Sequence, residues 1–472
     1  MVPYASGCLG CPGANPSLRC RQKAKVDPTR VASRHTKAKR IDSSAASAAS
    51  SIPPPSERGA ARPTGRTVQT ATPSTVRAFN RSIILDLIRL NQPISRARLS
   101  RLSGIFRSNV SGIVDQLIAM DWIVEKRAVA AGRGRVPILL YLNPRGFRVL
   151  GASLRADKTE VAVGGLTGEV GRRQSFSTPK HPAQLVRKLS ECIRQIVREE
   201  LGSSPNGFEE LGMGVPGLVS AETGRILFLP TMPEYSGFNL AAELQKRIGF
   251  RVTVDNDANL VALATLWLDK TANLSDFVVL EVGEAGFGGG VVLNHKLYRG
   301  SDSSFACEIG HMVVDPNGPG CACGRHGCLQ LYVCNRATWH RYDPQTEFST
   351  SRFRELVQSA QQGDPKALSA VRETARYLSI GISNIFLILN PEMVMFAGEI
   401  AKVPDVVRLV AEQVFSATKL RVPLRTASHE LENLYLYGAI HLALDRAFAK
   451  PQLGLGRAVR HSGSETTLRL SA

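Results

Sequence analysis

The chain has 472 residues, 43% of them hydrophobic, which is long enough for two or three domains with sizeable cores. It contains no run of about 18 apolar residues, which excludes a membrane-spanning helix. Lys and Arg number 59 against 40 Asp and Glu, a net charge of +19 that suits a polyanionic partner, although charge alone serves solubility and non-specific binding as readily as recognition.

Residues 1–74 are rich in Ser, Ala, Pro and Arg and poor in aromatics, so they bury too little apolar surface to offset ordering and are expected to form a disordered basic extension. Within residues 21–40, Arg21, Lys23, Lys25, Arg30, Arg34, Lys37, Lys39 and Arg40 stand against a single Asp27. Cys8, Cys11 and Cys20 lack a fourth ligand spaced to match. The segment has no apolar core of a signal peptide, so a cytoplasmic location is expected. Residues 451–472 are again polar and are expected to form a flexible tail.

From Thr75 the texture changes. Ile83, Ile84, Leu87, Ile88 and Leu90 recur at helical spacing until Asn91-Gln92-Pro93 stops them. Ser95 is a natural N-cap for a second helix with Leu99 and Leu102 turned inward and Gly104 closing it. In a third helix Val110, Ile113, Val114, Leu117 and Ile118 face a core and leave Arg107, Ser108, Asn109 and Ser111 outside, small polar and basic groups that suit base edges and phosphates. Two β-like runs, IVEKRAVAA and VPILLYLN, follow on either side of a Gly-Arg-Gly-Arg turn. The order predicts a winged helix-turn-helix over residues 75–143, with Arg133 and Arg135 at the wing tip where they reach phosphate or the minor groove. A small helical bundle whose hairpin touches only protein has the same elements.

Residues 144–450 alternate strands and helices, which predicts an α/β body with a mostly parallel sheet. VLGASL and EVAVGGL read as strands, a helix runs from about Pro182 to Leu201, and LGMGVPGLV and VTVDNDAN follow. Asn256 and Asp257 sit where the last of these strands ends, in a pattern that an ordinary Asx turn also gives. Between Glu308 and Gln330 the chain reads EIGHMVVDPNGPGCACGRHGCLQ. Its His311, Cys321, Cys323 and Cys328 are four zinc-type ligands in one loop, and four protein ligands make such a site structural. Independently packed cysteines are the bland alternative, and Cys321 and Cys323 are too close for an unstrained disulfide.

EIGH followed by C-x-C-G-x-x-G-C resembles the signature of the ROK family of repressors, open reading frames and kinases. GVPGLVSAETGRI, the NDAN segment, GFGGGVVLNHKLYRG and NPEMVMFAGEIA are similar to segments of that family in the expected order, and PISRARLSRLSGIFRSNVSGIVDQLIAMDWI resembles the N-terminal domain of its repressors. The resemblance implies an actin-like body of two ribonuclease H-like lobes with a sugar cleft between them. It further implies sugar contacts from Asn256, Asp257, Glu308, His311 and Gln330, with His311 placing one ring nitrogen on zinc and the other toward a hydroxyl. Gln330 stands where the family usually has glutamate, which keeps an acceptor oxygen and loses the charge.

Kinases of the family cradle ATP with glycine-rich turns that this chain alters. Ser153-Leu154-Arg155-Ala156-Asp157 replaces one, and Gly283-Glu284-Ala285-Gly286 changes the other, so side chains and negative charge stand where phosphate would lie. The expected protein is therefore a sugar-responsive DNA-binding regulator, a homo-oligomer (dimer or tetramer) that binds operator DNA, carries structural Zn²⁺ and is no enzyme. A sugar kinase with Asp257 as its base is the alternative. A zinc-stabilised interaction module without a small ligand would not need Asn256, Asp257, Glu308 and His311 together.

Overall fold

The computed structural model describes residues 73–127, 137–201, 208–268, 274–300, 307–421 and 423–448. The expected extension up to residue 72, the expected tail, and the wing-tip arginines Arg133 and Arg135 lie outside them, while Pro73 and Ser74 open the first helix. No described helix is long and apolar enough to cross a membrane.

Three helices open the described chain: α1 (Pro73–Asn91), α2 (Arg96–Ser103) and α3 (Arg107–Ala119). Ser95 caps α2 by accepting a hydrogen bond from the Arg98 amide at 3.3 Å, and Gly104 ends it in the left-handed region at φ 70°. An antiparallel hairpin follows, β1 (Ile123–Arg127) with β2 (Ile138–Leu142), pairing Ile123 with Leu142. Ile84, Ile88, Leu99, Val110, Val114, Leu117 and Leu140 are fully buried at the centre of this unit. Arg96 ties it together from α2 through Asp115 of α3 and Glu125 of β1, each at 2.8 Å. Leu102, expected to turn inward, is half exposed: Leu99 already fills the inner side of a helix only eight residues long.

The first large sheet is built from β3 (Arg148–Leu154), β4 (Lys158–Gly165), β5 (Val170–Ser177), β6 (Glu210–Val215) and β9 (Arg251–Asn256), with α4 (Pro182–Leu201), the ribbon β7 (Leu218–Val219) and β8 (Ile226–Phe228), and α5 (Leu240–Ile248) between them. Its order is β5-β4-β3-β6-β9, antiparallel up to β3 and parallel beyond. A buried helix, α6 (Asp257–Leu268), follows β9 directly.

The second sheet repeats the pattern with β10 (Phe277–Val282), β11 (Phe287–Leu293), β12 (Lys296–Leu297), β13 (Met393–Ala397) and β14 (Leu424–Thr426), in the order β12-β11-β10-β13-β14. Again three strands run antiparallel and two join in parallel. The helices α7 (Gln330–Val333), α8 (Asn335–Tyr342), α9 (Thr350–Gln361), α10 (Pro365–Leu389) and α11 (Pro404–Thr418) belong to this half. The body is thus mixed α/β in two halves, and each sheet is mixed rather than mostly parallel. The central strands β3, β6, β10 and β13 are near-continuous apolar runs because helices or neighbouring layers cover both faces.

The last helix, α12 (Leu431–Ala447), packs on β3 and β6 on one side and on α6 on the other. Glycines make the approach possible: a Cβ on Gly438 would lie 2.0 Å from the Leu260 carbonyl oxygen, and one on Gly212 would lie 2.0 Å from that of Ala439. Ile440, Ala443 and Leu444 of α12 join the core of the N-terminal helices, as do Phe147, Val149 and Trp267. Trp122, Phe147 and Phe448 form an aromatic triad with centroids 4.9 to 5.0 Å apart, and the Arg89 guanidinium of α1 lies 4.3 Å from the Trp267 ring centroid. Gly438→Ala forces α12 away from the α6 backbone and is expected to cost about 1–3 kcal/mol as overpacking, read as a lowered thermal unfolding midpoint. An unchanged midpoint would show that the two helices are not in tight contact.

Candidate functional site

The end of β9 and the start of α6 build one wall of a cleft. Asp255 is buried, and its carboxylate is filled by the chain itself: Oδ2 accepts from Arg299 Nε at 2.8 Å and Nη2 at 2.7 Å, while Oδ1 accepts from the Asn256 amide and Asn259 Nδ2, both at 2.8 Å. Asn256 Oδ1 accepts from the Ala258 amide at 2.9 Å, capping the new helix, and Nδ2 donates to the Gly217 carbonyl at 2.8 Å. The cleft is lined by Asn256, Phe287, Gly288, Arg299, Cys307 and Glu308 among others. The glycines of β11 are sterically required. A Cβ on Gly288 or Gly290 would press into Ala258 or Ala262 of α6, and one on Gly289 into Ile309.

Acidic groups dominate its electrostatics. Loss of hydration pushes the Asp257 carboxyl well above the usual range, and Glu281 and Glu308 add repulsion. Burial likewise raises Glu308, opposed by Arg325. Glu281, only 7% exposed, is pushed up to about 7 by burial, against the Tyr435 hydroxyl that donates to its Oε1 and the charge of Arg155. Its Oε2 has no hydrogen-bond partner among the described residues. Cys307 adopts φ 67°, and burial with Glu308 pushes its thiol up to about 11, so it stays protonated.

The four predicted metal ligands converge. Their donor atoms all lie within 4.8 Å of one another, with His311 Nδ1 3.5 Å from Cys321 Sγ and Cys323 Sγ 3.6 Å from Cys328 Sγ. Bonds of about 2.3 Å in a tetrahedron give ligand separations of about 3.8 Å, so the geometry and the donor set fit a metal ion. Burial and Arg325 keep the imidazole below its ordinary pKa, in the neutral form a metal ligand needs. At Cys323 burial works upward but is outweighed by hydrogen bonds from Arg325 and the neighbouring thiols, which bring the thiol down to about 7. The loop depends on Gly327 at φ 63°, where a Cβ would lie 1.5 Å from the Asp315 carbonyl oxygen. Gln330 faces this cluster, its Nε2 donating to Cys321 Sγ at 3.3 Å.

The two altered turns are held by the chain's own charges. Arg155 lies 3.1 Å from Glu432 and 3.6 Å from Asp157, and Glu284 pairs with Arg336. The amides of Asn335 and Arg336 at the start of α8 donate to the carbonyls of Gly283 and Glu284 at 3.0 and 2.9 Å. On α3, Arg107, Ser108 and Asn109 are exposed, and Ser111 is half-buried with its carbonyl accepting from Arg96 at 3.3 Å.

The structure thus brings Asn256 and Glu308 to one cleft, sets Asp257 within electrostatic reach of Glu308, and gathers His311 with the three cysteines and Gln330 nearby. Sequence reasoning missed Asp255, Arg299, Glu281 and Tyr435. The signal for two of them was present: Glu281 is an acid inside the otherwise apolar run FVVLEV, and Asp255 is an acid at the end of the β-branched run VTV.

The ROK family model matches residues 149–446. A xylose repressor of Caldicellulosiruptor bescii is 29% identical over 344 residues, covering 69% of this chain and 84% of that protein. Among solved structures, a ROK family transcriptional regulator, a homolog of the E. coli MLC protein, shares the fold with a TM-score of 0.67 at 24% identity over 78% of this chain and 97% of its own. A ROK hexokinase from Thermus thermophilus matches with a TM-score of 0.54 at 29% identity over 64% of this chain and 99% of its own.

Because the folded Glu281 holds its proton more tightly than the unfolded one, its burial costs nothing below the ordinary pKa of 4.5 and increasingly destabilises the fold as pH rises to about 7. Glu281→Gln removes the titrating group. It is expected to unfold at a higher temperature than the parent at pH 8, by roughly 1–3 kcal/mol, and to show a smaller advantage near pH 4.5. A constant difference at the two pH values in thermal melts would contradict this assignment.

Proposed function

We propose, from the premise that the chain belongs to the ROK family, that it is a sugar-responsive, DNA-binding transcriptional repressor of carbohydrate-metabolism genes. The observation that carries this reading is the helical unit and hairpin ahead of the body. The solved regulator spans more of this chain than the solved hexokinase does, and the repressor relative likewise aligns over most of its own length. Residues 75–143 would act as a winged helix-turn-helix, with Arg107, Ser108, Asn109 and Ser111 at the reading helix and Arg133 and Arg135 at the wing. Two such units in a dimer or tetramer would read half-sites spaced by about 34–36 Å.

Residues 144–450 would form the sugar-binding body, two actin-like lobes around the cleft. Asn256, Asp257, Glu308, His311 and Gln330 would recognise hydroxyls, the last two from beside the cysteine cluster. His311, Cys321, Cys323 and Cys328 would hold a structural Zn²⁺ that fixes the loop after Glu308. The body is read as a sensor rather than a kinase because Arg155 and Glu284 occupy the two turns with internal ion pairs, where a kinase would leave backbone amides open to phosphate. Asp257 then serves as an acceptor rather than a base.

A sugar panel screened by thermal shift beside a radiolabelled ATP phosphotransfer assay tests this. At least one sugar is expected to raise the melting temperature, with no sugar phosphate formed. Robust phosphate transfer that is lost in Asp257→Asn would establish the kinase instead. Cys323→Ser is expected to lower both bound zinc and sugar affinity, since structural zinc contributes roughly 10–16 kcal/mol of apparent binding energy in small peptides. Full zinc content and unchanged sugar affinity in that variant, measured by metal analysis and titration calorimetry, would remove the metal from the account.

A further inference from the structure

Phe106 is the most exposed large hydrophobic side chain among the described residues, at 80%. It occupies the N-cap of α3, with φ −55° and ψ 143°, and makes no side-chain hydrogen bond to the helix. Ser, Thr, Asp and Asn are the residues that stabilise this position, because their oxygen accepts from a free amide of the first turn. The adjoining α2 follows that rule with Ser95. Phe106 therefore carries two penalties at one position, a lost cap and a solvated aromatic ring, and neither is offset by packing among the described residues.

The surroundings identify what would offset them. Arg107, Ser108 and Asn109 follow directly and are exposed, and Arg98 and Arg101 of α2 are exposed as well. A basic and polar rim around one apolar side chain suits DNA rather than an apolar protein face. In the major groove the apolar feature that a side chain can read is the thymine C5 methyl, and residues at the N-terminus of a reading helix are the ones that reach base edges. We infer that Phe106 is a specificity-determining residue that packs against a thymine methyl in each half-site. The inference rests on the DNA-binding role proposed above and adds to it a base preference that the polar side chains of α3 do not supply.

The test uses duplexes selected from a random pool by the full chain, with each thymine then replaced singly by deoxyuridine, which removes the methyl and keeps every hydrogen-bonding edge. Loss of one buried methyl is expected to weaken binding about three- to five-fold at one position per half-site. Phe106→Ser restores a capping residue, so it should melt no lower than the parent, bind the parent duplex more weakly, and be indifferent to deoxyuridine at that position. Parent protein indifferent to deoxyuridine at every thymine, or Phe106→Ser as sensitive as the parent, would overturn the inference while leaving DNA recognition intact. A selected site without an invariant thymine would overturn it too. A pool in which no sequence is enriched would remove the DNA-binding reading and this inference together.

Discussion

The contact between α6 and α12 is the constraint on which the rest of the structure depends. The Leu260 carbonyl oxygen meets the face of Gly438 where no side chain fits, and Gly212 lets the same helix settle onto β6. Because α12 also lies on β3, one helix closes the first sheet, seats α6 and supplies Ile440 and Leu444 to the core of the N-terminal helices. With 12 residues, α6 is a rod about 18 Å long. Its first turn brings Ala258 and Asn259 to the cleft. Near its other end Trp267 lies under Arg89 of α1 and packs at a tilt against His441 of α12, 4.6 Å between ring centroids. A displacement at the cleft end therefore has a stiff route to the helical unit, and in the proposed regulator this is how a bound sugar would be felt by the DNA-binding end.

Charge in the cleft is arranged in two tiers. Asp255 and Arg299 satisfy each other, so the pair fixes the shape of the wall. Asp257, Glu281 and Glu308 are all raised by burial, and Asp257 is raised further by repulsion from the other two. Tyr435 of α12 reaches Glu281 of β10, which places the acidic set in contact with the same helix that organises the fold. Neutral, hydrogen-bonding ligands suit such a cleft better than anions, because raised carboxyls offer an anion no favourable charge and repel it whenever they ionise.

Much of this was legible in the sequence because periodicity and turn chemistry carry it. Ser95, Gly104 and the apolar faces of α1 and α3 marked the helical unit, and the spacing of His311, Cys321, Cys323 and Cys328 marked a cluster that the fold brings together. The exposure of Leu102 was not legible, since periodicity cannot tell which turn of a short helix runs past the edge of its core. The division into two halves was expected from the family resemblance, but the mixed strand directions were hidden: antiparallel and parallel strands share one apolar pattern when both faces are covered. Roles of Gly288, Gly289, Gly290 and Gly438 emerged only with the packing, because a glycine needed for close approach looks the same in sequence as one in a turn. Arg299 was missed because its partner, Asp255, lies 44 residues away.

Coupling between the cleft and the DNA-binding end is the central claim, and thermodynamic linkage offers its most direct test. The affinity of the full chain for a selected duplex is measured with and without the sugar that stabilises it, and the affinity for that sugar with and without the duplex. The account predicts that both ratios depart from one and are equal, because a coupling free energy is reciprocal. Sugar bound at the cleft with duplex affinity unchanged would contradict it.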